Sequence, residues 1–283
     1  MSVVSRRRSD QSRLRTQLIK QLVRKDLKIK YQGSTLGFAW SLANPLLMLL
    51  VYTLVFTVVF KGNTTSFFGF FLLSGLLIWN FFQMSVMGAA TSITGNSGLV
   101  KKVPFPHIAL PLSSIGFAGV QVALQYLVLI VAMSVTGLVP LRPELLLLIP
   151  ALVVVVTLTL GLSLLVAATT VRYKDTQHIL EVLMFAWIWA SGVIYPPSLV
   201  HDKLGGGLKL DLYYLNPMAG VTATFQRAIY GQLYGTDGKL ILASTSAWFY
   251  LKILGLGFVV SLAILAVGAL QFRRQSADFA EEL

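Results

Sequence analysis

The sequence contains no cysteine, only three histidines, and few charged residues for a chain of 283 residues. Without cysteine the chain cannot form disulfides, use a thiolate as a nucleophile or bind a metal through sulfur. His107, His178 and His201 lie far apart in the sequence, so a metal site built from histidine is not expected either. Charged residues make up 12% of the chain, whereas a soluble domain contains about 25%. A water-soluble monomer is therefore excluded.

Long apolar segments account for most of the sequence, which is 55% hydrophobic. A membrane-spanning helix requires about 20 predominantly apolar residues. The hydrophobicity is continuous rather than alternating, which predicts helices and not the strands of a barrel. The sequence thus predicts an all-α integral membrane protein in which residues 36–271 form six transmembrane helices. The six segments are Trp40–Phe60, Phe67–Ala90, Ile108–Gly137, Glu144–Val171, Ile179–Tyr195 and Ser246–Gln271.

The basic residues are unevenly divided between the two sides of the predicted bundle. Six spans place both termini on one side, and that side carries 16 of the 23 lysine and arginine residues. By the positive-inside rule this side is cytoplasmic. We therefore expect a multi-pass plasma-membrane protein with a cytoplasmic N-terminal segment, residues 1–35, and a cytoplasmic C-terminal tail, residues 272–283. The net charge of +12 then reflects topology and not nucleic-acid binding.

Several sequence motifs of enzymes and energy-converting proteins do not occur. The ATP-binding pattern Gly-x-x-x-x-Gly-Lys-Ser/Thr is missing, as are His-Glu-x-x-His and Gly-x-Ser-x-Gly. The span interiors contain almost no ionisable residues, which disfavours a proton-coupled carrier or a channel. An enzyme acting on lipid-linked sugars would need acidic residues gathered at one membrane face, but Asp26, Asp175 and Glu181 are scattered. The chain is therefore expected to use energy supplied by a separate polypeptide.

The segment Arg13–Lys30 has the periodicity of a basic amphipathic helix on the inner membrane surface. Its apolar side is formed by Leu14, Leu18, Leu22 and Ile29, and its basic side by Arg13, Lys20, Arg24 and Lys28. The helix either anchors the chain to anionic lipid or also receives the anionic head group of a transported lipid. The candidates for substrate contact are Lys25, Lys28, Lys30 and Tyr31, with Gly33 and Gly37 allowing the turn into the first span.

Three short strings resemble one transporter family. Lys30–Trp40, with Asn44-Pro45 shortly after it, resembles the start of the permease subunits of ABC-2 type exporters for polysaccharides such as O-antigen, teichoic acids and capsules. Leu99–Pro106 followed by Leu110-Pro111, and Leu215-Asn216-Pro217, agree with that family in order and in side of the membrane. The resemblance covers essentially the whole chain.

This resemblance implies an ATP-driven exporter that moves a lipid-linked polysaccharide of the O-antigen, galactan, teichoic acid or capsule type outward from the cytoplasm. The chain would act as a homodimer with two copies of a separate ABC ATPase, which binds ATP and Mg²⁺. No metal or cofactor is expected in this chain. The alternative is an ABC-2 exporter of a small hydrophobic compound or drug.

The resemblance also assigns a coupling role to the loop between the second and third spans. The residues expected to contact the ATPase are Lys101, Lys102, Val103, Pro104, Phe105 and Pro106. The two prolines stiffen this loop, and Phe105 is expected to be exposed between them and to dock into a cleft. Arg172 and Asp175, between the fourth and fifth spans, are a second candidate contact. An ordinary basic hairpin and a solvated turn are the respective alternatives.

The outside segment, residues 196–245, contains a predicted short helix. Asn216 is a candidate N-cap, Pro217 the first helical residue and Gly231 the stop. Such a helix would be about 21 Å long, too short to span the membrane. It is either a surface helix or, as the resemblance implies, one of a pair of short re-entrant helices before the last span that form an outer gate. The gate would include the chain break at Tyr195, Pro196 and Pro197, with Arg227 facing the outer interface or a water-filled mouth.

Aromatic residues are frequent in the second and fifth predicted spans. Their ring faces would contact the C–H faces of sugars without holding them in a strong site, which suits a conduit for a moving polymer. Packing and interface anchoring are the alternatives for these side chains. The candidates for lining the channel are Phe67, Phe71, Trp187 and Trp189.

The charge asymmetry generates a test of topology. A cysteine introduced at Ser5 should be shielded from a membrane-impermeant thiol reagent in intact cells, whereas one at Gly206 should react, because the basic side is retained in the cytoplasm. Labelling is specific because the natural chain has no cysteine. Reaction at Ser5 from outside, with none at Gly206, would reverse the assignment.

Overall fold

The computed structural model describes residues 2–34, 37, 39–55, 68–103, 105–138, 142–205, 207–231 and 246–283, with side chains from residue 16 onward. Within these ranges every regular element is helical, in agreement with the predicted all-α class. The helices are α1 Ser2–Tyr31, α2 Ala39–Leu54, α3 Phe68–Ser92, α4 Ser97–Lys102, α5 Ala109–Val135, α6 Leu148–Arg172, α7 Thr176–Ala190, α8 Pro197–Leu204, α9 Leu208–Tyr213, α10 Pro217–Tyr230, α11 Ala247–Gln275 and α12 Phe279–Glu282. Single 3₁₀ turns at Thr94–Asn96 and Pro143–Leu147 precede α4 and α6.

Four of the helices in the described ranges are long and apolar enough to cross a membrane: α3, α5, α6 with its preceding 3₁₀ turn, and α11. They correspond to the second, third, fourth and sixth predicted spans. The first predicted span is the 16-residue α2, and its continuation at 56–60 lies outside the described residues. The fifth is the 15-residue α7, about 22 Å long. The count of six spans stays a prediction.

The helices pack around α3, whose aromatic and aliphatic side chains are buried along most of its length. Trp79 and Phe82 lie in the central cluster, where their rings pack edge to face at 5.5 Å. A second cluster lies at the end of the bundle where α1 and α12 meet, here called the termini end, and contains Leu22 and Phe272. A third cluster lies at the opposite end, here called the far end, and contains Tyr214 and Tyr250.

α6 and α11 form the most extensive helix pair, and two glycines allow their close approach. A Cβ atom at Gly161 would lie 2.6 Å from the backbone nitrogen of Leu265, and one at Gly268 would overlap the carbonyl oxygen of Gly161. Small residues at such crossings let helix backbones touch, and close packing holds helices together where the surroundings are as apolar as the side chains.

The glycine contact predicts a strong effect of one added methyl group. Gly268→Ala should destabilise the protein by about 1–3 kcal/mol, because the backbone of α6 cannot yield without separating the two helices. The matched control is Gly255→Ala in the same helix, where a Cβ atom would meet nothing within 4 Å. Thermal unfolding in detergent should show a lower melting temperature for the first variant alone. Equal melting temperatures would contradict the close contact.

Candidate functional site

At the termini end, α1 packs against α5. Leu22 is buried in the termini-end cluster, and Val23 lies so close to Gly116 that a Cβ atom there would stand 2.9 Å from it. Ile29, predicted on the same apolar face, is exposed. The apolar face of α1 therefore docks on protein through its middle turns and is narrower than its periodicity predicts.

A polar cavity of about 400 Å³ lies between α1, α3 and α5 at this end. The ammonium group of Lys25 donates a hydrogen bond to Oδ1 of Asn96 at 3.0 Å, and Nδ2 of Asn96 donates to the carbonyl of Ser92 at 2.8 Å. The lysine is thereby held at the wall of the cavity. The cavity is lined by Lys25, Asp26, Met84, Gly88, Thr91, Ser92, Gly95, Asn96, Ser113, Ser114 and Phe117.

Lys30 and Tyr31 meet a polar side chain of α5 near this cavity. Lys30 donates to Oε1 of Gln121 at 3.3 Å, and the amide of Gln121 bonds the Tyr31 hydroxyl at 2.7 Å. Gln121 is 1% exposed. The Lys30 ammonium also lies 5.4 Å from the centroid of the Phe117 ring, within cation–π range.

The structure thus brings together three of the four residues predicted for substrate contact: Lys25, Lys30 and Tyr31. Lys28 is exposed and does not line the cavity. Gly33 and Gly37 have positive φ angles of 78° and 47°, which side chains rarely adopt, and so shape the turn towards α2. Sequence reasoning missed the partners Asn96 and Gln121, although an amide within an apolar span is itself a signal of a functional position.

The predicted coupling loop comprises α4 and the extended residues after it. Lys101, Lys102 and Val103 are exposed, Pro106 is half-buried, and Pro104 lies outside the described residues. Phe105 is half-buried rather than exposed as expected, because its ring packs on His107 at 5.4 Å and on the termini-end cluster. The exposed apolar side chain of the loop is Val103, which is 46% exposed.

Of the two residues in the second predicted contact with the ATPase, Arg172 and Asp175, only Asp175 is open to a partner. Arg172 donates from Nη2 and Nε to Oε1 of Glu282, at 2.6 and 3.0 Å. Its guanidinium is therefore engaged by the chain's own C-terminal segment. Asp175 is exposed at the N-cap of α7 and remains open to a partner.

At the far end, α10 begins and ends where the sequence predicts. Asn216 is the N-cap and accepts a hydrogen bond from the Met218 nitrogen at 3.1 Å, Pro217 is the first residue, and Gly231 ends the helix with φ 93°. This prediction is confirmed. All 14 residues of α10 are buried, so an ordinary surface helix does not describe it.

Asn216 also joins α10 to the end of α7. Trp187 donates from its indole nitrogen to Oδ1 of Asn216 at 2.9 Å, and Nδ2 of Asn216 donates to the carbonyl of Ala190 and to Oγ of Ser191, each at 3.1 Å. Each polar atom of this side chain therefore has a partner. The start of α10 is consequently tied to the C-terminal end of α7.

Tyrosine side chains pack at the chain break that follows α7. Pro196 is extended and Pro197 opens α8. The Tyr195 hydroxyl donates to the carbonyl of Trp189 at 2.7 Å. Burial raises the pKa of Tyr213 well above its ordinary value, and a hydrogen bond with Tyr195 adds to this effect. Tyr213 therefore stays protonated, and Gly192 leaves room for its hydroxyl.

The predicted channel aromatics differ in their surroundings. Phe71 is fully buried against Phe68 and Tyr230, which leaves no ring face for a sugar. Trp187 is half-buried and packs on Phe82 at 5.2 Å. Trp189 is half exposed, and Phe67 lies outside the described residues.

A partly buried ion pair joins α10 to the 3₁₀ turn that precedes α6. Nη2 of Arg227 lies 3.3 Å from Oε1 of Glu144. Arg227 is 7% exposed and, with Glu144, lines a cavity of about 340 Å³ at the far end. Its placement at the outer interface or a water-filled mouth stays a prediction. Arg142 packs against Gly231 close by. Within the described ranges no group of His, Asp and Glu could hold a metal ion.

Residues 17–230 match the ABC-2 type transporter family. The chain belongs to this family. It is 36% identical over 231 residues to the O-antigen export system permease protein RfbA of Myxococcus xanthus, covering 81% of this chain and 86% of that protein. Two proteins of the same name from Klebsiella pneumoniae are 25% and 24% identical, each covering 94% of this chain and 95% of the relative.

Family membership makes the chain the permease-type transport subunit of a multi-pass membrane system that works with an ABC ATPase. In such a permease, a charged side chain buried between spans requires a partner of opposite charge, because an unpaired charge inside the bundle is costly. Sequence reasoning missed Glu144 as the partner of Arg227. The available signal was one acidic residue at the outer end of a span and one arginine in an apolar helix.

The unequal burial of this pair predicts an asymmetry between two charge-removing variants. Glu144→Gln leaves the buried Arg227 without a carboxylate and should cost up to about 3 kcal/mol. Arg227→Gln leaves Glu144, which has 31% of its side chain exposed and can be hydrated. Thermal unfolding of the purified permease should therefore show the larger loss for Glu144→Gln, with partial recovery in the double variant. Losses that simply add in the double variant, with no recovery, would refute the pairing.

Proposed function

We propose that this chain is the permease subunit of an ATP-driven exporter that moves a lipid-linked polysaccharide from the cytoplasm across the plasma membrane. The relatives named for O-antigen export support a polysaccharide substrate. O-antigen, galactan, teichoic acid and capsule polymers all fit this class. Those names do not favour the alternative of a small hydrophobic compound. Both termini are cytoplasmic in this proposal, because the termini end carries most of the basic residues.

Substrate access is proposed at the polar cavity between α1, α3 and α5. The observation that carries this is the fixed position of Lys25 and Lys30, each hydrogen-bonded to an amide side chain of the bundle. Lys25 lines the cavity beside hydroxyl groups, with the carboxylate of Asp26 at 3.6 Å, and Lys30 lies near it. A phosphate-bearing lipid head group would compete with Asp26 for the Lys25 ammonium.

ATP-driven motion is proposed to enter through the coupling loop. A separate ABC ATPase, present in two copies, binds ATP and Mg²⁺ and contacts Lys101, Lys102 and Val103, which are exposed. A second copy of the permease completes the conduit, consistent with the two-fold symmetry of most homo-oligomers. The broad exposed apolar face of α7, which includes Val182 and Phe185, suits either that second copy or lipid.

The far end is proposed to form the outer gate. A helix of 14 residues that is buried on all sides is too short to span, which supports a re-entrant α10. Irregular backbone at membrane depth is tolerated only where protein covers it, and α8, α9 and the α7–α10 junction provide such cover. Tyr195, Pro196, Pro197, Asn216 and Pro217 are the proposed gate residues.

The access role is tested by two double variants that remove equal charge from α1. Lys25→Gln with Lys30→Gln should raise the concentration of a polyprenyl-diphosphate-linked oligosaccharide needed for half-maximal stimulation of ATP hydrolysis by roughly tenfold or more, at about 1 kcal/mol for each cation. The measurement uses the permease–ATPase complex in liposomes. Lys20→Gln with Lys28→Gln, both exposed on the same helix, should leave that concentration nearly unchanged.

Anchoring to anionic lipid makes a different prediction for the same pair of variants. If the lysines act only on bulk lipid, both double variants should weaken membrane placement equally and affect stimulation alike. An equal response of the two variants, or full stimulation in Lys25→Gln with Lys30→Gln, would reject the access site.

A further inference from the structure

The C-terminal segment Ser276–Leu283 folds back onto the termini end. α11 ends at Gln275, the chain turns through Ser276–Asp278, and the short α12 follows. Phe279 is 0% exposed although its neighbours on both sides are exposed. Its ring packs on Phe272 of α11 at 5.4 Å and on His107 at 5.8 Å. The segment is therefore docked by one buried aromatic side chain.

The docked segment joins three elements that are separate in sequence. Nδ1 of His107 lies 3.2 Å from the carbonyl oxygen of Ser276, and the His107 ring also packs edge to face on Phe105 of the coupling loop. Glu282 accepts from Arg172 at the inner end of α6. Through Phe279 the segment is also held to α11. The coupling loop, α6 and α11 thus meet at one short stretch of chain.

The coupling loop needs such support because it has little structure of its own. α4 has six residues, fewer than an isolated helix requires for stability. Its exposed residues Lys101, Lys102 and Val103 add no packing to the bundle. If the ATPase displaced an unsupported loop, the displacement would be absorbed by local rearrangement of that loop. Tightly packed elements transmit displacements, whereas loosely packed elements absorb them.

We propose that Ser276–Leu283 is a positioning element of the coupling loop, with Phe279 as its principal positioning residue. The segment passes the movement of the loop into α6 and α11 as well as into α3 and α5. Arg172 then acts through Glu282 and is not itself a docking residue for the ATPase. This inference rests on the coupling role given to the loop in the proposed function.

The test separates positioning from simple folding. In the permease–ATPase complex in liposomes, Phe279→Ala should leave ATP hydrolysis largely intact but lower the amount of polymer exported per ATP several-fold. Phe279→Leu should restore most of it, because an apolar side chain of similar size refills the site. Unchanged export per ATP in a well-assembled Phe279→Ala complex would overturn the proposal.

The ion pair offers a matched comparison on the same helix. Glu282→Gln should act in the same direction as Phe279→Ala but more weakly, because exposed ion pairs contribute little. Glu281→Gln removes the same charge from an exposed position and should not alter export per ATP. Equal effects of the two variants would contradict a role for the contact with Arg172.

Failure of the coupling role itself is distinguishable from failure of this inference. Val103→Asp should reduce recovery of the ATPase with the purified permease, because a carboxylate replaces the exposed apolar contact. If Val103→Asp loses the ATPase while Phe279→Ala exports normally, the coupling role stands and the positioning role fails. Full recovery of the ATPase with Val103→Asp would overturn the coupling role and, with it, the inference.

Discussion

α6 and α11 approach so closely at Gly161 and Gly268 that neither position has room for a Cβ atom. Because the two helices touch through backbone, their ends are held side by side at both ends of the bundle. At the termini end this places Arg172 and Phe272 where one short C-terminal segment reaches both. At the far end, Gly257 of α11 admits the first residue of α10, Pro217, against its backbone. A rearrangement at one end of the bundle therefore affects the α6–α11 pair, which also supports the opposite end of the bundle.

The polar groups of the bundle are held by partners from different helices. Asn216 satisfies the end of α7 while capping α10, Gln121 holds Tyr31 and Lys30 of α1, and Glu144 compensates Arg227. In an apolar surrounding each of these groups would be costly alone, so each contact also specifies how two helices are placed. The proposed access site and the proposed gate are both built from such pairs, and this makes them sensitive to relative helix movement.

The family assignment and the geometry bear on different questions. Membership in the ABC-2 family identifies a transport subunit that depends on an ABC ATPase. The geometry adds two features on which the proposals rest: a cavity beside α1 lined by Lys25 and Asp26, and a loop that contacts the C-terminal segment. Both lie at the termini end, so substrate binding and the ATPase would act on neighbouring ends of α3 and α5. Asn96, which holds Lys25, directly precedes α4.

The sequence by itself determined the helical class, four of the spans, and the limits of α10, because hydrophobic length and the cap at Asn216 act within a few residues of chain. It also predicted the basic cluster on α1. Only the tertiary structure decided that Phe105 is half-buried, that Phe71 is a packing residue and that Arg172 is engaged. Those outcomes depend on side chains more than one hundred residues away, such as Glu282 and Phe279, or on helices that meet only after the bundle assembles. Periodicity reports which face of a helix is apolar, but the partner of that face is set by packing in three dimensions.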